Sequence, residues 1–427
     1  MTAPLPSKLK GYEALALIGN RNSNATEHSL HIDLNMVDIT SDISFASTKT
    51  DKLQKPMLIN CITDREDALD YVERMNDDVF SSGYQCKAFL NAWLNQPEAC
   101  PYFLILAAEN HGQVLLPLEI QPNGIATYCG GTHANGNFPV GRIEDIKALS
   151  NLNPSDLINA VKGLPIAASA IFLERQHSSL KGVGNPFVLS DADKSPNVAL
   201  SLSLDGGFAG VMERHHGKRK RKRQRNHTRK LDVLGSVDIV QQVQCEDVRD
   251  VLNAFFDMKA ERFKEQGICD VFKDVHVREM FAQMFLNSCT SQSPNHLLKA
   301  IYLNGKPISV IGCTVHDGRL TVEFGTFDHQ YSAAGPGDLL FYHAIEDACD
   351  KGYEIFDFGI GDEFYKRSWC EIETWHRDTL IAITPKGKLQ VIHKKARNYF
   401  VRMIKTNKTI WSNLKKLRSA FGWMRKC

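Results

Sequence analysis

The chain has 427 residues, 43% of them hydrophobic and 9% aromatic, and its 51 lysines and arginines against 49 aspartates and glutamates leave a net charge of +2. This length predicts two domains, each with its own core, and no apolar run is long enough for a membrane-spanning helix. Eleven cysteines without a Cys-x-x-Cys pair predict neither a disulfide framework nor a zinc site, so we expect no metal and a cytoplasmic location.

The near-neutral total conceals an uneven distribution of charge. Beyond Asp378 the sequence holds thirteen lysines or arginines and no acidic residue, so residues 1–378 sum to 38 − 49 = −11. Inside that acidic part, residues 218–223 form an unbroken basic run. Charge placed this unevenly predicts contact with something anionic.

The elements predicted for the first half are short helices and strands. Residues 1–60 show little periodicity and are expected to be a partly flexible extension. Helical patterns follow near 67–75, 86–94 and 154–163, a hairpin is predicted for 102–108 and 113–119, and a further strand for 170–173. The Gly- and Asn-rich stretch 130–136 predicts a loop that could carry function, and 180–196 a connection between halves.

The second half reads as a longer alternation of helices and strands. It is expected to begin with a strand at 197–203 and a basic helix at 218–230, followed by a strand near 237–243 and helices near 246–265 and 275–288. Three strands come next, at 297–304, 307–316 and 319–328, and Asn304-Gly305 predicts a tight hairpin between the first two. A helix at 337–351, a strand at 355–358 and a last strand at 379–384 complete the pattern.

One segment combines a buried strand, two glycines and a polar cluster. After the apolar residues 355–358, Gly359 and Gly361 break the strand, and Asp362, Tyr365, Lys366 and Trp369 then recur at three- and four-residue spacing. On a helix these side chains would share one face, at the end of a buried strand where open α/β sheets bind ligands. An ordinary strand-to-helix turn with a capping Asp362 explains the same spacing, and Trp369 would be a core residue in either case.

Three motifs, in this order, carry a resemblance to a known family. They are the basic segment 218–230; the helix 257–267 with its "K..R....G" pattern; and Tyr331, Pro336 and Gly337 followed by "DFG.GDE.YK..W" at 357–369. With them, residues 205–385 resemble the acetyltransferase family associated with cellulose biosynthesis, a branch of the GNAT acyl-CoA N-acyltransferases. Residues 60–200 resemble the less well-defined first half of such proteins.

The resemblance implies a fold and two halves, and the composition of the two ends of the chain adds an extension and a tail. The expected class is α/β, with two tandem GNAT-like folds built on mixed, mainly antiparallel sheets. The expected parts are an extension (1–60), a first GNAT-like half (61–196), a GNAT acyltransferase domain (197–390) and a basic amphipathic helical tail (391–427).

The resemblance also implies acetyl-CoA as the acyl donor. Its pyrophosphate would bind at the loop Ser332-Ala-Ala-Gly335-Pro-Gly337, where the glycines permit close backbone approach and a helix begins. Ser332 stands where the family has Gln or Arg, and the Asp338 carboxylate competes for the same positive potential. A plain loop with a helix N-cap remains the alternative.

Four residues are candidates for the chemistry of acyl transfer. Glu323 lies where several GNAT enzymes carry a general base, although a solvent-facing Glu on an alternating strand fits the pattern equally well. The resemblance gives Tyr365 the protonation of the leaving thiolate, and Lys366 would stabilise negative charge at the reacting centre. Asp362 would orient Lys366 or cap the short helix. His133, His316 and His343 are isolated and are predicted to be structural.

We therefore predict transfer of an acyl group, acetyl by resemblance, to an amine or hydroxyl of a small or polysaccharide-related acceptor. One alternative is transfer from aminoacyl-tRNA, as in the Fem-type peptidyltransferases. Another is a non-catalytic adaptor that binds anionic surfaces. The basic run at 218–230 could face the acceptor, the CoA 3′-phosphate or solvent, and nucleic acid is the less favoured partner.

The tail predicts a second kind of contact. Apolar residues recur at helical spacing between lysines and arginines: Trp411, Leu414, Leu417, Phe421 and Met424. Basic amphipathic helices with aromatic residues lie on anionic membranes, so residues 391–427 predict peripheral contact with the inner membrane face. A helix docked on the protein by its apolar stripe is the alternative.

Overall fold

A computed structural model describes residues 57–76, 79–162, 164, 168–291 and 294–406. Up to residue 194 the described chain forms four helices: α1 (Arg65–Glu73), α2 (Lys87–Leu94), α3 (Ile143–Ala148) and α4 (Pro154–Lys162). The strands of this part are β1 (Met57–Ile62), β2 (Pro101–Ala107), β3 (Gln113–Ile120), β4 (Ile125–Tyr128), β5 (Val140–Gly141), β6 (Ala170–Gln176), β7 (Ser179–Leu180), β8 (Val183–Gly184) and β9 (Asp193–Lys194).

The second part of the described chain has longer helices. Its strands are β10 (Ala199–Ser203), β11 (Val237–Val240), β12 (His296–Leu303), β13 (Lys306–His316), β14 (Arg319–Phe327), β15 (Ile355–Ile360), β16 (Ile372–Thr374) and β17 (Arg377–Ala382). The helices are α5 (Gly207–Arg214), α6 (Gly217–Asp232), α7 (Val248–Gln266), α8 (Val275–Cys289), α9 (Pro336–Asp350), α10 (Phe364–Arg367) and α11 (Pro385–Thr406).

Local sequence explains several of these boundaries. Asn304 and Gly305 both have positive φ, 49° and 77°, as a tight hairpin turn between β12 and β13 requires, so the predicted hairpin is confirmed. Helix α7 ends at Gly267, which adopts the left-handed conformation at φ 60° that glycine takes without steric cost.

The two main sheets share one pattern. In the first sheet the order is β1-β2-β3-β4-β6-β17-β9, and in the second it is β11-β12-β13-β14-β15-β10-β16. Each begins with four antiparallel strands and then contains a parallel pair, β4–β6 in the first and β14–β15 in the second. The predicted α/β class, with two tandem folds on mixed, mainly antiparallel sheets, is confirmed.

A strand from late in the chain completes the first sheet. Strand β17 pairs with β6 and β9, although the sequence suggests that the segment near 379–384 belongs to the second half. Strand β10, which precedes the basic helix, pairs with β15 and β16 in the second sheet. The domain boundary at 196/197 stays a prediction. A division at that point would assign β17 to the second domain, although it pairs with β6 and β9 of the first sheet.

One hydrophobic core is shared by both parts of the chain. Helices α7 and α8 cover the second sheet with an aromatic cluster, and α2 packs against α8 from the first part. Phe324 of β14 lies 4.2 Å from Phe255 between ring centroids, and each fully buried Phe stabilises the fold by about 1.5–3 kcal/mol. This shared core holds residues of the first part at the edge of the second sheet.

Cysteine pairing departs from the sequence prediction at one point. Cys245 and Cys289 form a disulfide, with Cα atoms 5.7 Å apart, where none was expected. The two residues are 44 positions apart, and the turn before α7 and the end of α8 bring them together, which no local spacing reveals. Within the described ranges, no helix combines the length and apolar character needed to cross a bilayer.

Candidate active site

A cleft of about 780 Å³ opens where β14 and β15 part. These parallel strands pair only from Arg319–Ile355 to Thr321–Asp357, and the cleft lies beyond that point. Helix α7 forms one wall and the start of α9 the other, so the cleft passes through the sheet and is lined from both faces. Five predicted site residues border it: Glu323, Gly337, Asp338, Tyr365 and Lys366.

Glu323 faces this cleft from β14 rather than bulk solvent. Burial raises the pKa of its carboxyl to about 8, the nearby Asp357 adds to the rise, and hydrogen bonds with Thr314 and Tyr84 oppose it. The carboxyl is therefore largely protonated at neutral pH and gains its charge in the weakly alkaline range. That is the range in which a general base for an amine works best.

Tyr84 is a site residue that the sequence reasoning missed. It precedes α2 in the first part of the chain, is 5% exposed, and reaches Glu323 across the shared core. Its ring packs edge-on against Phe89 at 5.8 Å between centroids, which fixes the direction of the hydroxyl. No local motif marks Tyr84, because only the packing of the two parts places it here.

Behind Glu323 lies a second, smaller cavity of about 90 Å³. Tyr84 and Glu323 border both this cavity and the main cleft. Its other walls include His316 and the ion pair between Arg319 and Asp357, whose atoms are 2.8 Å apart. Polar groups thus continue from the cleft past Glu323 toward the junction of the two parts.

Lys366 is buried at the edge of the cleft and held by two acceptors. Its Nζ donates to the carbonyl of Ile360 at 2.8 Å and lies 3.2 Å from the Glu363 carboxylate. Tyr365 stacks on Phe341 with 5.4 Å between ring centroids, and burial raises the pKa of its hydroxyl well above the ordinary value. A tyrosine that keeps its proton is suited to protonate a leaving group.

Asp362 has different neighbours from those expected. It forms an ion pair with Arg367, and the N-cap of α10 is Glu363, which makes no side-chain capping bond. The carboxylate close to Lys366 is thus that of Glu363, one residue along the chain. The prediction that Asp362 caps the helix is wrong, because the backbone turns one residue later than the spacing suggests. Trp369 is buried in the core, as expected.

The loop before α9 has the form that an anion-binding helix start needs. Gly335 adopts φ 67° and is the N-cap of α9, and Pro336 takes the first helical position. A side chain at Gly335 would meet the His227 ring of α6 at 2.3 Å, so only glycine fits. Ser332 is exposed in the preceding turn and does not border the cleft.

Basic groups of α6 neutralise Asp338. Arg223 forms an ion pair with its carboxylate, and His227 lies 3.7 Å away. Burial alone would raise the Asp338 pKa, but the hydrogen bond from His227 and the charge of Arg223 together lower it. The carboxylate is thus occupied by α6, and it opposes an anion at the start of α9 less than the sequence suggests.

Lys259 of α7 is a buried ammonium on the opposite wall. Its Nζ donates to the carbonyl of Gly325 at 3.2 Å, and burial, followed by the charge of Arg262, lowers its pKa to about 8. Arg262 lies over the Phe327 ring at 5.5 Å. The sequence marks both residues as parts of a motif but assigns them no role.

The first sheet has a cleft of its own, of about 1360 Å³, beside its parallel pair. Glu119 lies there and accepts hydrogen bonds from Trp93 at 2.7 Å and Gln121 at 3.1 Å, while burial raises its pKa to about 7. After β4 the chain forms a one-turn 3₁₀ helix, Gly131–His133, and then β5. The helices that follow before β6, α3 and α4, do not border this cleft, whereas α9 starts at the cleft of the second sheet.

Comparison with known proteins identifies part of the chain. Residues 218–367 match the family model described as "Acetyltransferase (GNAT) domain". Among solved structures, the C-terminal domain of a putative lysylphosphatidylglycerol synthetase from Agrobacterium fabrum is 15% identical with a TM-score of 0.46, covering 78% of this chain and 95% of its own. FemX is 11% identical with a TM-score of 0.49, covering 79% and 99%.

A tandem GNAT protein of the clavulanic acid biosynthesis pathway also aligns, at 8% identity and a TM-score of 0.38, over 77% of this chain and 98% of its own. A search of curated proteins finds no match. The matched residues include strands β14 and β15, helix α9 and the predicted site residues that border the cleft. Residues 218–367 are a GNAT acetyltransferase domain, and the protein is an acyltransferase.

Proposed function

We propose that the protein transfers an acetyl group from acetyl-CoA to an amine or hydroxyl of a small or polysaccharide-related acceptor. The observation that carries the proposal is the cleft between β14 and β15, open to both faces of the sheet. A donor entering past α9 and an acceptor entering past α7 would meet at Glu323. The acceptor class rests on the family resemblance.

The start of α9 supports the choice of donor. Free backbone N–H groups and the helix dipole at Gly337 favour an anion such as the CoA pyrophosphate. The pairing of Asp338 with α6 reduces the repulsion that its carboxylate would exert on a phosphate at this helix start. Bound there, CoA would direct its thioester along the cleft toward Glu323.

The residues around the cleft can perform direct transfer. The acceptor nitrogen attacks the thioester carbonyl and gives its proton to the Glu323 carboxylate, so a C–N bond forms as the C–S bond breaks. Lys366 stabilises the negative charge that develops on the carbonyl oxygen. The hydroxyl of Tyr365, which is protonated at neutral pH, gives its proton to the departing thiolate. Asp362, paired with Arg367, has no step in this sequence.

A second donor is favoured by one specific observation. Helix α6 lies beside the start of α9 and carries exposed basic side chains along its length, among them Lys218, Arg219, Arg221, Lys222 and Arg225. A polyanion such as aminoacyl-tRNA would contact such a helix. Its binding would weaken steeply with added salt, because phosphate contacts release counterions.

A calorimetric titration with acetyl-CoA, with adenosine diphosphate as control, tests the proposal. Saturable binding at least about tenfold tighter than the control supports the acetyl-CoA donor. Salt-sensitive tRNA binding without acetyl-CoA binding would replace it with the aminoacyl-tRNA donor. Binding of nucleic acid or vesicles by a protein with affinity for neither donor would leave the adaptor function.

A further inference from the structure

Helix α11 is fixed to the first sheet by one of its faces. Gln390 accepts a hydrogen bond from Ser169 at 2.7 Å, Lys394 forms an ion pair with Glu174 at 2.6 Å, and the buried Asn398 donates to Asp378. These three helix residues are four positions apart, so they form one line along the helix. The opposite face of α11 therefore points away from the first sheet.

That opposite face is apolar and exposed. Five of the twelve exposed large hydrophobic residues of the described chain lie on α11, and they are 47–70% exposed: Leu389, Ile392, Tyr399, Phe400 and Met403. At 3.6 residues per turn they fall in a stripe roughly 100° wide. We call these five residues the α11 stripe. A soluble helix normally turns such a stripe inward, so its exposure indicates an occupant.

The charge beside the α11 stripe identifies the kind of occupant. Exposed basic residues border it on both sides, Lys386 and Arg397 on one and Lys388 on the other, while Lys395 pairs with Asp193 and Arg402 donates to the Lys194 carbonyl. From residue 385 to the end of the sequence there are thirteen lysines or arginines and no acidic residue. An apolar stripe between two rows of cations fits the boundary between the acyl chains and the anionic headgroups of a bilayer. A second copy of this chain would bring like charges together.

We propose that α11 lies along an anionic lipid surface, with the α11 stripe inserted among the headgroups and the exposed cations Lys386, Lys388 and Arg397 on lipid phosphates. The stripe expected at 411–424 lies outside the described residues, and α11 overlaps the first part of the tail predicted at 391–427. The surface is separate from the cleft of the second sheet, so this proposal does not depend on the acyl donor.

Co-sedimentation of the full chain with vesicles tests this surface. Vesicles of equal parts phosphatidylglycerol and phosphatidylcholine should bind the protein at least about tenfold more tightly than pure phosphatidylcholine. Added salt should weaken the binding, because the contacts with lipid phosphates are screened. Absence of binding to the anionic vesicles would overturn the proposal.

Matched variants assign the binding to α11. The double variant Ile392→Glu with Phe400→Glu should bind the anionic vesicles at least about tenfold more weakly, since carboxylates would enter the headgroup region. The control, Val233→Glu with Leu234→Glu, changes two exposed apolar residues elsewhere and should bind as the wild type does. Unchanged melting temperatures show that both variants fold.

Two outcomes would contradict the role of α11. If the α11 variant bound anionic vesicles as tightly as the wild type, another part of the chain would hold the membrane. If the wild type instead formed a dimer in light scattering that the α11 variant abolished, and bound no vesicles, the stripe would be a protein–protein interface.

Discussion

The two sheets have the same strand pattern but differ in their clefts. The cleft of the first sheet is the larger, at about 1360 Å³ against about 780 Å³, and each cleft is bordered by a lysine and a glutamate, but the start of α9 lies in the wall of the second. The connection after the fourth strand also differs, because in the first sheet it passes through a 3₁₀ helix, β5, α3 and α4, and in the second a 3₁₀ turn leads directly to the long helix α9. The two clefts are therefore distinguished by that connection more than by the strand pattern.

The largest effect is expected at Lys366 of the second cleft, and Lys394 of the first cleft is the matched comparison. Lys366 and Lys394 both border a cleft and pair with a glutamate, at 3.2 Å and 2.6 Å. Lys366→Ala should lower kcat by about 10²–10³-fold, because the developing oxyanion loses its cation. Lys394→Ala should change kcat less than about twofold. Release of CoA from acetyl-CoA in a mixture of small amines measures both.

Controls separate this effect from unfolding. The Lys366 side chain is buried, so the melting temperature and the acetyl-CoA affinity of each variant are measured alongside the rate. Full turnover in a folded Lys366→Ala protein would refute the assigned role, and an equal loss in Lys394→Ala would make the two clefts equivalent.

The two buried glutamates give the next comparison. Glu323→Gln should lower kcat/KM by about 10²-fold through loss of the base, and Glu119→Gln should leave it within about twofold. The wild-type rate should rise with pH and level off above about 8, where Glu323 has lost its proton. A Glu323→Gln protein with the same pH profile would show that another group is the base.

The sequence predicts the second cleft better than it predicts how the two parts meet. The motif at 357–369 lies within one local segment, so spacing alone places Tyr365 and Lys366 at the end of β15. Tyr84 and β17 reach their positions through contacts across more than 200 residues, and such pairings leave no periodic signal. The Glu363 contact was missed for a smaller reason, a shift of one residue in the turn.

A moderate effect is expected for the tyrosine that links the two parts. Tyr84→Phe removes a hydrogen bond that favours the Glu323 carboxylate, so the pKa of Glu323 should rise further. The midpoint of the rate–pH profile should move upward, and the rate at neutral pH should fall about 3–10-fold. Tyr128→Phe, which removes a bond to Gln176 in the first part, should leave the midpoint unchanged. An unmoved midpoint in Tyr84→Phe would exclude contact with the base.

The smallest effect concerns stability, and it compares the same two glutamates. Burial raises the pKa of Glu323 to about 8 and that of Glu119 to about 7, above the ordinary value near 4.5. Between the ordinary and the raised pKa the folded protein keeps a proton that the unfolded chain releases. The contribution of these two glutamates to stability is therefore greatest below pH 4.5 and falls until the raised pKa of each is passed.

Replacement of either glutamate by Gln removes its share of this pH dependence. The melting temperature of each variant relative to the wild type should rise with pH, levelling off near pH 7 for Glu119→Gln and near pH 8 for Glu323→Gln. Differential scanning fluorimetry from pH 5 to pH 9 would follow both curves. If both curves levelled off at the same pH, the second cleft would not desolvate its carboxyl more than the first. That result would refute the electrostatic difference between the two clefts.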